Sequence, residues 1–378
     1  MEKLNLIATT TFGLEASCKR ELTNLGYTIT SVSDGRIDFE GDILAIAICN
    51  IWLRTADRVL LKVGEFTAES FVELFDQTKN LPWHQFIPKN AKFDVTGKSI
   101  KSKLFSVPDC QAIVKKATVE SLKQHYPVDW FSEDGPICKI QVALLKDIAT
   151  LTIDTTGAGL HKRGYRQITG NAPIKETLAA AMIELSYWRP ERILLDPLCG
   201  LGTIAIEAAM IARNMAPGAR RKFVSEDWPW IDQKIWNNVR TAAGRGIKGD
   251  FVPQIYASDI DPSAIETAQY SARRAGISDC INFSVTDISN MELPGSFGVL
   301  ITNPPYGERL GGTFGIDAIY SELKRLFPKS STWSAYIITP DKKLEQYIGR
   351  KADSKRKLFN GTIKTDYYQF HGPKPNKR

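Results

Sequence analysis

The strongest constraint on the fold is a regular alternation of strand-like and helix-like segments that begins near Pro173 and continues toward the C-terminus. Short apolar runs typical of buried strands are separated by amphipathic runs of helical length. Seven strands are predicted, in RILLDPL, QIYASDI, INFSVTD, FGVLITNPP, SAYIITP, RKLFN and DYYQF. Strands that alternate with helices in this way form a parallel, doubly wound α/β sheet.

The first 160 residues mix short strands and helices without strict alternation and without a phosphate-binding loop, which predicts an α+β fold. A glycine-rich, basic connector occupies residues 155–173. An insertion at 214–253 interrupts the alternation of the second half. The length of 378 residues favours two or three domains.

Several classes of protein are disfavoured by composition. The first residues lack the basic and then apolar layout of a signal peptide. The longest apolar stretch, ILAIAICNIWL at 43–53, is shorter than the ~18 residues of a membrane helix. The six cysteines form no C-x-x-C pair, which argues against a disulfide framework and against a zinc site. We therefore predict a cytoplasmic protein with no membrane association and no metal.

Positive charge is concentrated in the second half. The net charge of +7 divides into −1 for residues 1–150 and +8 for residues 151–378. A basic surplus favours a polyanionic partner, although solvated charge is the ordinary explanation for a surplus this small.

The segment ILLDPLCGLGTIAIEAAM predicts a ligand-binding turn between a strand and a helix. Asp196 ends the strand, Gly200 and Gly202 lie in the turn, and Thr203 begins the helix, whose free N–H groups favour negative charge. A purely structural glycine turn is the alternative. A pyrophosphate would be repelled by Asp196, whereas the ammonium and sulfonium of S-adenosylmethionine would be attracted, so we favour the latter as cofactor.

Two further strands end in acidic residues. Asp259 is positioned to accept hydrogen bonds from the ribose hydroxyls of the cofactor, and Ile260 is available to cover its adenine. Asp287 could accept a hydrogen bond from the adenine amino group. Asp261 precedes Pro262 and is better explained as a helix N-cap. Ligands of such sheets bind at the carboxyl ends of the strands, so three acidic strand ends favour one site.

The fourth strand ends in Asn-Pro-Pro-Tyr. The Asn303 side-chain oxygen and the Pro304 carbonyl can accept hydrogen bonds from an exocyclic amine of a nucleobase, and Tyr306 can stack on the base. A structural turn is the alternative for this motif. Cys199 is a candidate thiolate nucleophile, but a small buried apolar side chain is the better interpretation.

Several motifs together resemble those of the THUMP-domain RNA methyltransferases, most closely the bacterial 23S rRNA guanine-N2 methyltransferase family. The resemblance covers nearly the whole chain and is carried by DPLCGLGT, SDIDP, NPPYGERL, LHKRGYR, APIKETLAAAM and NIWLRTADRVLL. NPPY by itself also occurs in DNA adenine-N6 methyltransferases. Some members carry a second methyltransferase domain that forms N7-methylguanine, and for this chain we expect a single catalytic domain without that second activity.

The resemblance implies a ferredoxin-like region at 1–43, a THUMP RNA-binding domain at 44–155, a basic linker at 156–172 and a Rossmann-type class I methyltransferase domain at 173–378. It implies that the base is received by Asn303, Pro304, Pro305 and Tyr306. The residues predicted to contact the cofactor are Asp196, Pro197, Cys199, Gly200, Gly202, Thr203, Asp259, Ile260, Asp287, Ile288 and Asn303.

RNA contacts are predicted where basic residues cluster in segments without acidic neighbours. The candidate residues are Lys98, Lys101, Lys103, Lys162, Arg163, Arg166, Arg220 and Arg221. For each cluster the alternative is a solvated loop with no RNA contact. Trp228 and Trp230 of the insertion are equally consistent with a role in the hydrophobic core.

The leading hypothesis is methylation of a guanine N2 in 23S rRNA, either free or in a large-subunit assembly intermediate, with no protein partner predicted. Adenine-N6 methylation of DNA or RNA is the alternative within the same class. A nicotinamide-dependent oxidoreductase and a non-catalytic RNA-binding assembly factor are alternatives from other classes.

Overall fold

A computed structural model describes residues 3–166, 174–306, 315–328 and 331–374. The second part of the connector (167–173), residues 307–310 of the NPPYGERL motif and the end of the basic tail (375–378) lie outside the described residues. The chain divides into two compact units. Unit 1 contains Met1–Thr10, Lys19–Leu160 and Arg221–Thr241, and unit 2 contains Thr11–Cys18, His161–Arg220 and Ala242–Arg378.

Unit 1 is built on a seven-stranded sheet with the order β2-β3-β1-β4-β7-β6-β5. Its strands are β1 Leu4–Thr10, β2 Thr28–Ser33, β3 Arg36–Gly41, β4 Ala56–Thr67, β5 Val95–Ile100, β6 Ile140–Leu145 and β7 Ile148–Asp154. The first four helices are α1 Glu15–Asn24, α2 Ile43–Trp52, α3 Phe71–Lys79 and α4 Val107–Lys123. Most side chains of β2 are exposed, so this strand has no apolar alternation from which the sequence could predict it.

The insertion contributes its middle part, Arg221–Thr241, to unit 1. Trp228 is 1% exposed and donates its Nε1–H to the Ile137 carbonyl at 2.9 Å. Trp230 donates to the Phe86 carbonyl at 3.0 Å, and Trp236 stacks on Phe223. Trp228 is therefore a core residue, as its structural alternative stated, and the half-buried Trp230 packs against its ring.

Unit 2 contains the predicted seven-stranded α/β sheet, with the order β10-β9-β8-β11-β12-β14-β13. Its strands are β8 Leu194–Asp196, β9 Ile255–Asp259, β10 Ile281–Val285, β11 Val299–Thr302, β12 Ser334–Thr339, β13 Ser354–Asn360 and β14 Ile363–Phe370. Its helices are α5 Glu176–Glu184, α6 Thr203–Ala212, α8 Pro262–Ala275, α9 Ile316–Leu326 and α10 Leu344–Ile348. The helix α7, Gln233–Arg245, begins in the part of the insertion that belongs to unit 1 and ends in unit 2. The predicted fold class is confirmed.

The strands of unit 2 are apolar throughout because both faces of the sheet are covered. Leu194 packs in the cluster that contains α5, α6 and α8, whereas the next residue, Leu195, packs in the cluster that contains α9 and α10. Val299 and Leu300 divide between the two clusters in the same way. This is the period-two alternation of a strand, with apolar residues on both sides.

Strand order determines where a ligand would bind. The strands β10, β9, β8, β11 and β12 run parallel, and β8 lies between β9 and β11. From β8 the chain continues to β9 and β10 on one side of the sheet and then crosses to β11 and β12 on the other side. The direction in which strands are added therefore reverses at β8. A crevice forms at such a reversal, outside the carboxyl ends of the strands. Asp196, Asp259 and Asn303 lie at or directly after those ends.

Candidate functional site

The glycine turn between β8 and α6 requires glycine at two positions. Gly200 and Gly202 have φ values of +51° and +73°, in the left-handed region. A Cβ on Gly202 would also lie 2.9 Å from the Ala268 Cβ, so α8 packs against this point. The turn is tied to β9, because the Gly200 N–H donates to Asp259 Oδ2 at 2.8 Å and the Cys199 N–H donates to the Ser258 carbonyl at 2.8 Å.

Asp196 is a buried carboxylate at the end of β8, with 1% exposure. It accepts hydrogen bonds from Thr302 Oγ1 at 2.8 Å and from the Leu198 N–H at 3.4 Å. Burial raises the pKa of Asp196 to about 7; these two hydrogen bonds act in the opposite direction, and the nearby Asp259 adds to the rise. A cation placed beside this group would stabilise its ionised form.

The carboxylate of Asp259 orients the backbone around it. Its Oδ1 accepts from the Asp261 N–H at 3.0 Å, in addition to the bond from Gly200. Ile260 is 60% exposed, which leaves an apolar surface next to this carboxylate. Asp261 accepts from the Ser263 N–H at 2.9 Å and precedes Pro262 at the start of α8, so its prediction as an N-cap is confirmed.

Asp287 and Ile288 follow β10. Asp287 Oδ1 accepts from the Ser289 N–H at 2.8 Å, and the hydrogen bonds from Ser289 lower the pKa of Asp287. Ile288 is buried in the same core cluster as α9. Asp287 is thus an ionised group at a third strand end, and it stabilises its own turn.

Asn303 has the most informative environment in the crevice. Its Oδ1 is buried and has no hydrogen-bond partner among the residues that the structure describes. An unsatisfied buried carbonyl costs about 1–3 kcal/mol, so its presence calls for an explanation. Pro304 is buried beside it, and Tyr306 is 9% exposed, with its hydroxyl accepting from Asn360 Nδ2 at 2.7 Å.

The buried position of Cys199 argues against nucleophilic catalysis. The side chain is 8% exposed, and burial is the main cause that raises the pKa of this thiol well above its usual value. The neighbouring carboxylates of Asp196 and Asp259 act in the same direction. A thiolate is therefore strongly disfavoured here.

Two residues of the crevice were not recognised in the sequence. Thr302 directly precedes Asn303, and a hydroxyl at a strand end next to a predicted site was its only signal. Asn360 lies 54 residues from Tyr306, and no local pattern indicates that pairing.

The predicted RNA contact at Arg163 is replaced by a structural role. Arg163 is 4% exposed, and its guanidinium lies 3.5 Å from the Glu207 carboxylate of α6. Tyr165 donates to the same carboxylate at 3.1 Å. Arg166 also faces inward, because it donates to Thr203 Oγ1 at 2.5 Å and pairs with Glu176 at 3.3 Å.

The other predicted RNA contacts lie at several places. In unit 1, Lys98 and Lys101 are exposed, and Lys103 forms an ion pair with Glu69. Arg221 donates to the Ala158 and Gly159 carbonyls, which ties the start of the insertion to unit 1. In unit 2, Lys162 is exposed, and Arg220 donates to the Arg274 carbonyl at 2.9 Å. These residues stay predictions.

Together, the doubly wound sheet, the glycine turn, the acidic strand ends and the Asn-Pro-Pro-Tyr segment define a class I methyltransferase. Models of three domains match the chain: an RlmL ferredoxin-like domain at 5–60, a THUMP domain at 68–154 and an RMKL-like methyltransferase domain at 163–369. The chain belongs to this family of RlmL-like methyltransferases.

Individual relatives agree with this assignment. The chain is 50% identical to YpsC of Bacillus subtilis (strain 168), a candidate RNA methyltransferase by name, over 98% of this chain and 96% of the relative. A candidate methylase from Clostridium difficile 630 is 48% identical, with a TM-score of 0.95 and full coverage of both chains. SMU.472, a candidate methyltransferase crystallised with S-adenosylhomocysteine, is 44% identical, with a TM-score of 0.93 and full coverage of both chains. The predicted cofactor, S-adenosylmethionine, is confirmed.

The described residues fit this cofactor. Gly200 has open space where a side chain would stand, Asp196 is a buried acid whose ionised form a cation would stabilise, and Asp259 carries carboxylate oxygens at the next strand end. No cluster of metal-ligating side chains occurs within the described ranges. In the same ranges, no helix has the length and apolar character needed to cross a membrane.

Replacing Asp259 with alanine is expected to weaken the binding of S-adenosylhomocysteine by roughly 10- to 100-fold, because hydrogen bonds to a charged acceptor contribute about 1.5–3 kcal/mol. Calorimetric titration measures this affinity. The matched control is Asp261→Ala, which removes the adjacent carboxylate and weakens the cap of α8. Equal losses of affinity in the two variants would contradict a direct role for Asp259.

Cofactor affinity is expected to depend on pH through Asp196. In the folded, ligand-free protein the pKa of Asp196 is about 7, whereas in the unfolded chain it has the ordinary value of 3.8. Between these two pH values the folded protein keeps a proton on Asp196 that the unfolded chain has released. The stability contribution of this group is therefore complete below pH 3.8 and declines as the pH rises through 7. A bound cation favours the carboxylate, so cofactor affinity should rise over the range in which Asp196 deprotonates.

Titrations of S-adenosylhomocysteine below and above neutral pH measure this dependence. The rise in affinity should disappear in Asp196→Asn and persist in Asp250→Asn, which alters an exposed acid after the insertion helix. A pH dependence that survives in Asp196→Asn would assign the titration to another group.

Proposed function

We propose that this methyltransferase transfers a methyl group from S-adenosylmethionine to the exocyclic N2 of a guanine in 23S rRNA. The observation that carries the proposal is the buried, unpartnered Oδ1 of Asn303 at the end of β11. The amine of a base entering the crevice would give that oxygen the hydrogen-bond donor that the described protein does not provide.

The chemistry explains why no strong base is needed at this position. The lone pair of an exocyclic amine is delocalised into the ring, so the nitrogen is a weak nucleophile. Asn303 Oδ1 and the Pro304 carbonyl accept the two N–H groups and draw the nitrogen toward a tetrahedral geometry, while the two prolines restrict the backbone that carries both acceptors. Tyr306 supports the base by stacking, and its hydroxyl is held by Asn360.

The cofactor, when bound, supplies a methyl group activated by the sulfonium. Asn303 Oδ1 and the Pro304 carbonyl would orient the amine nitrogen toward that methyl group, so that the N–C bond would form as the S–C bond breaks and its electron pair passes to sulfur. The methylated nitrogen is then acidic and loses one proton to water. The protein positions the amine and needs no covalent intermediate, in agreement with the buried Cys199.

RNA as the substrate class is supported by the THUMP domain model, by the name of the Bacillus relative and by the net charge of +8 in residues 151–378. We further propose the predicted domain boundaries 1–43, 44–155, 156–172 and 173–378, although the match to the ferredoxin-like domain extends beyond the first of them, to residue 60. We also propose a cytoplasmic location and the predicted set of cofactor and base contacts. The partner is 23S rRNA, free or within a large-subunit assembly intermediate.

Nucleoside analysis of 23S rRNA treated with the protein and labelled S-adenosylmethionine tests the substrate. Label in N2-methylguanosine is expected, and the same reaction with Asn303→Ala provides the control. Asn-Pro-Pro-Tyr would serve adenine N6 equally well, since that amine also offers two N–H groups. Label found only in N6-methyladenine, or only when DNA is supplied, would contradict the guanine assignment.

A further inference from the structure

Residues 341–364 carry an unusual share of the positive charge. They contain eight Lys and Arg residues against three acids, a net charge of +5 in a chain whose total is +7. This stretch begins just after β12 and includes α10, β13 and the first two residues of β14. No local sequence pattern marks this stretch, because its basic residues are spread over several elements and separated by acids.

Topology brings part of this charge to the edge of the sheet that carries the crevice. The strands β8, β11 and β12 are parallel, so the segment after Thr339 begins at their carboxyl edge. β14 is antiparallel to β12, and β13 is antiparallel to β14. The β13–β14 turn therefore lies at the same edge as Asp196 and Asn303. Four lysines near this edge are Lys342, Lys343, Lys357 and Lys364.

These four lysines are exposed, and none has an ion-pair partner within the described part of the chain. Their neighbour Lys355 differs, because it pairs with Glu345 at 2.8 Å and lies over the Tyr368 ring. The charge of the four lysines is therefore available to an external anion. Lysines on an edge strand also discourage edge-to-edge pairing. That explanation applies to Lys357 on β13, but not to the other three.

The same surface contacts the proposed base-binding residues and carries an aromatic pair. Asn360, at the end of β13, donates to the Tyr306 hydroxyl at 2.7 Å. The preceding residue, Phe359, packs edge-to-face on Phe12, with ring centroids 5.9 Å apart. Phe12 is 47% exposed, although a large aromatic side chain gains by burial. Exposed aromatic rings among lysines are typical of surfaces that bind single-stranded nucleic acid.

We propose that this edge surface, formed by Lys342, Lys343, Lys357, Lys364 and Phe12, binds the single-stranded RNA segment that adjoins the target nucleotide. The lysines neutralise its phosphates and Phe12 stacks on one of its bases. Asn360 connects this surface to Tyr306, so the RNA is held next to the ring that supports the target base. This inference rests on the proposed action on RNA, and it does not depend on which base is methylated.

The salt dependence of RNA binding tests the edge surface directly. The protein, saturated with S-adenosylhomocysteine, is titrated with a 23S rRNA transcript and with a short single-stranded RNA of mixed sequence. The double variant Lys357→Ala with Lys364→Ala should lower the slope of log Kd against log salt by about 1.4, since each phosphate contact with a single strand contributes about 0.7. Its Kd should rise about tenfold or more near 0.1 M salt.

The matched control is Arg273→Ala with Lys324→Ala, which also removes two exposed positive charges from unit 2. These residues lie in the last turns of α8 and α9, whose C-terminal ends face the opposite edge of the sheet. The control should leave the slope unchanged. Phe12→Ala should weaken binding of the short RNA without changing the slope, because it removes stacking and no charge.

An unchanged slope and Kd in the lysine variant would overturn the edge surface, and so would an equal reduction in the control. Neither result would affect the proposed methyl transfer, which the nucleoside analysis tests separately. Conversely, the nucleoside analysis could place the label in adenine instead of guanine. A reduced salt slope in the lysine variant would then still support the edge surface.

Discussion

Replacing Asn303 with alanine is expected to lower turnover by about 100-fold or more, while the affinity for S-adenosylhomocysteine changes little. A positioned hydrogen-bonding group that acts on the transition state commonly contributes ~10²–10³ in rate. Asn303 Oδ1 has no partner in the described protein, so its removal takes away an interaction that forms only with substrate. Methyl transfer from labelled cofactor and calorimetric titration of the product measure the two effects.

The stability of the Asn303→Ala variant provides an independent check. Truncation removes a buried acceptor that has no internal hydrogen bond among the described residues, so the free energy of unfolding should stay the same or increase. Asn290→Ala, in the exposed turn after β10, is the matched control and should retain full turnover. Retention of turnover by Asn303→Ala would contradict the proposed function, and a large loss of stability would instead indicate a structural role for the side chain.

Replacing Glu207 with alanine is expected to lower the free energy of unfolding by about 3–5 kcal/mol, the usual consequence of removing one partner of a buried ion pair. Glu207 is fully buried on α6, and its carboxylate lies 3.5 Å from the Arg163 guanidinium. Its loss also removes the acceptor of the Tyr165 hydroxyl. Urea unfolding followed by tryptophan fluorescence measures the effect.

Two further variants identify the cause of the Glu207 effect. Glu207→Gln keeps a hydrogen-bond acceptor without the charge, so its loss of stability should be smaller than that of Glu207→Ala. Glu322→Ala breaks a more exposed pair with Arg325 on α9 and should change stability by less than about 1 kcal/mol. An unchanged free energy of unfolding in Glu207→Ala would contradict the structural role of the Arg163–Glu207 pair.

The acidic strand ends, the glycine turn and the Asn-Pro-Pro-Tyr segment were predictable because each is a local pattern. A short continuous apolar run predicts a buried strand, and the residue that follows it must lie at the end of that strand. Once the strands are parallel, Asp196, Asp259, Asp287 and Asn303 meet at one edge without further information. The seven-stranded sheet and the class of enzyme followed from the same patterns.

Pairings between distant residues were decided only by the tertiary structure. Thr302 binds Asp196 across 106 residues and Asn360 binds Tyr306 across 54, while Arg163 is buried against Glu207. Sequence alone identified Arg163 only as a basic residue, because charge is a property of the side chain whereas burial depends on what packs around it. The insertion likewise became part of unit 1 through Trp228 and Trp230. Periodicity acts over a few residues, but burial and hydrogen bonding depend on contacts that form only when the whole chain has folded.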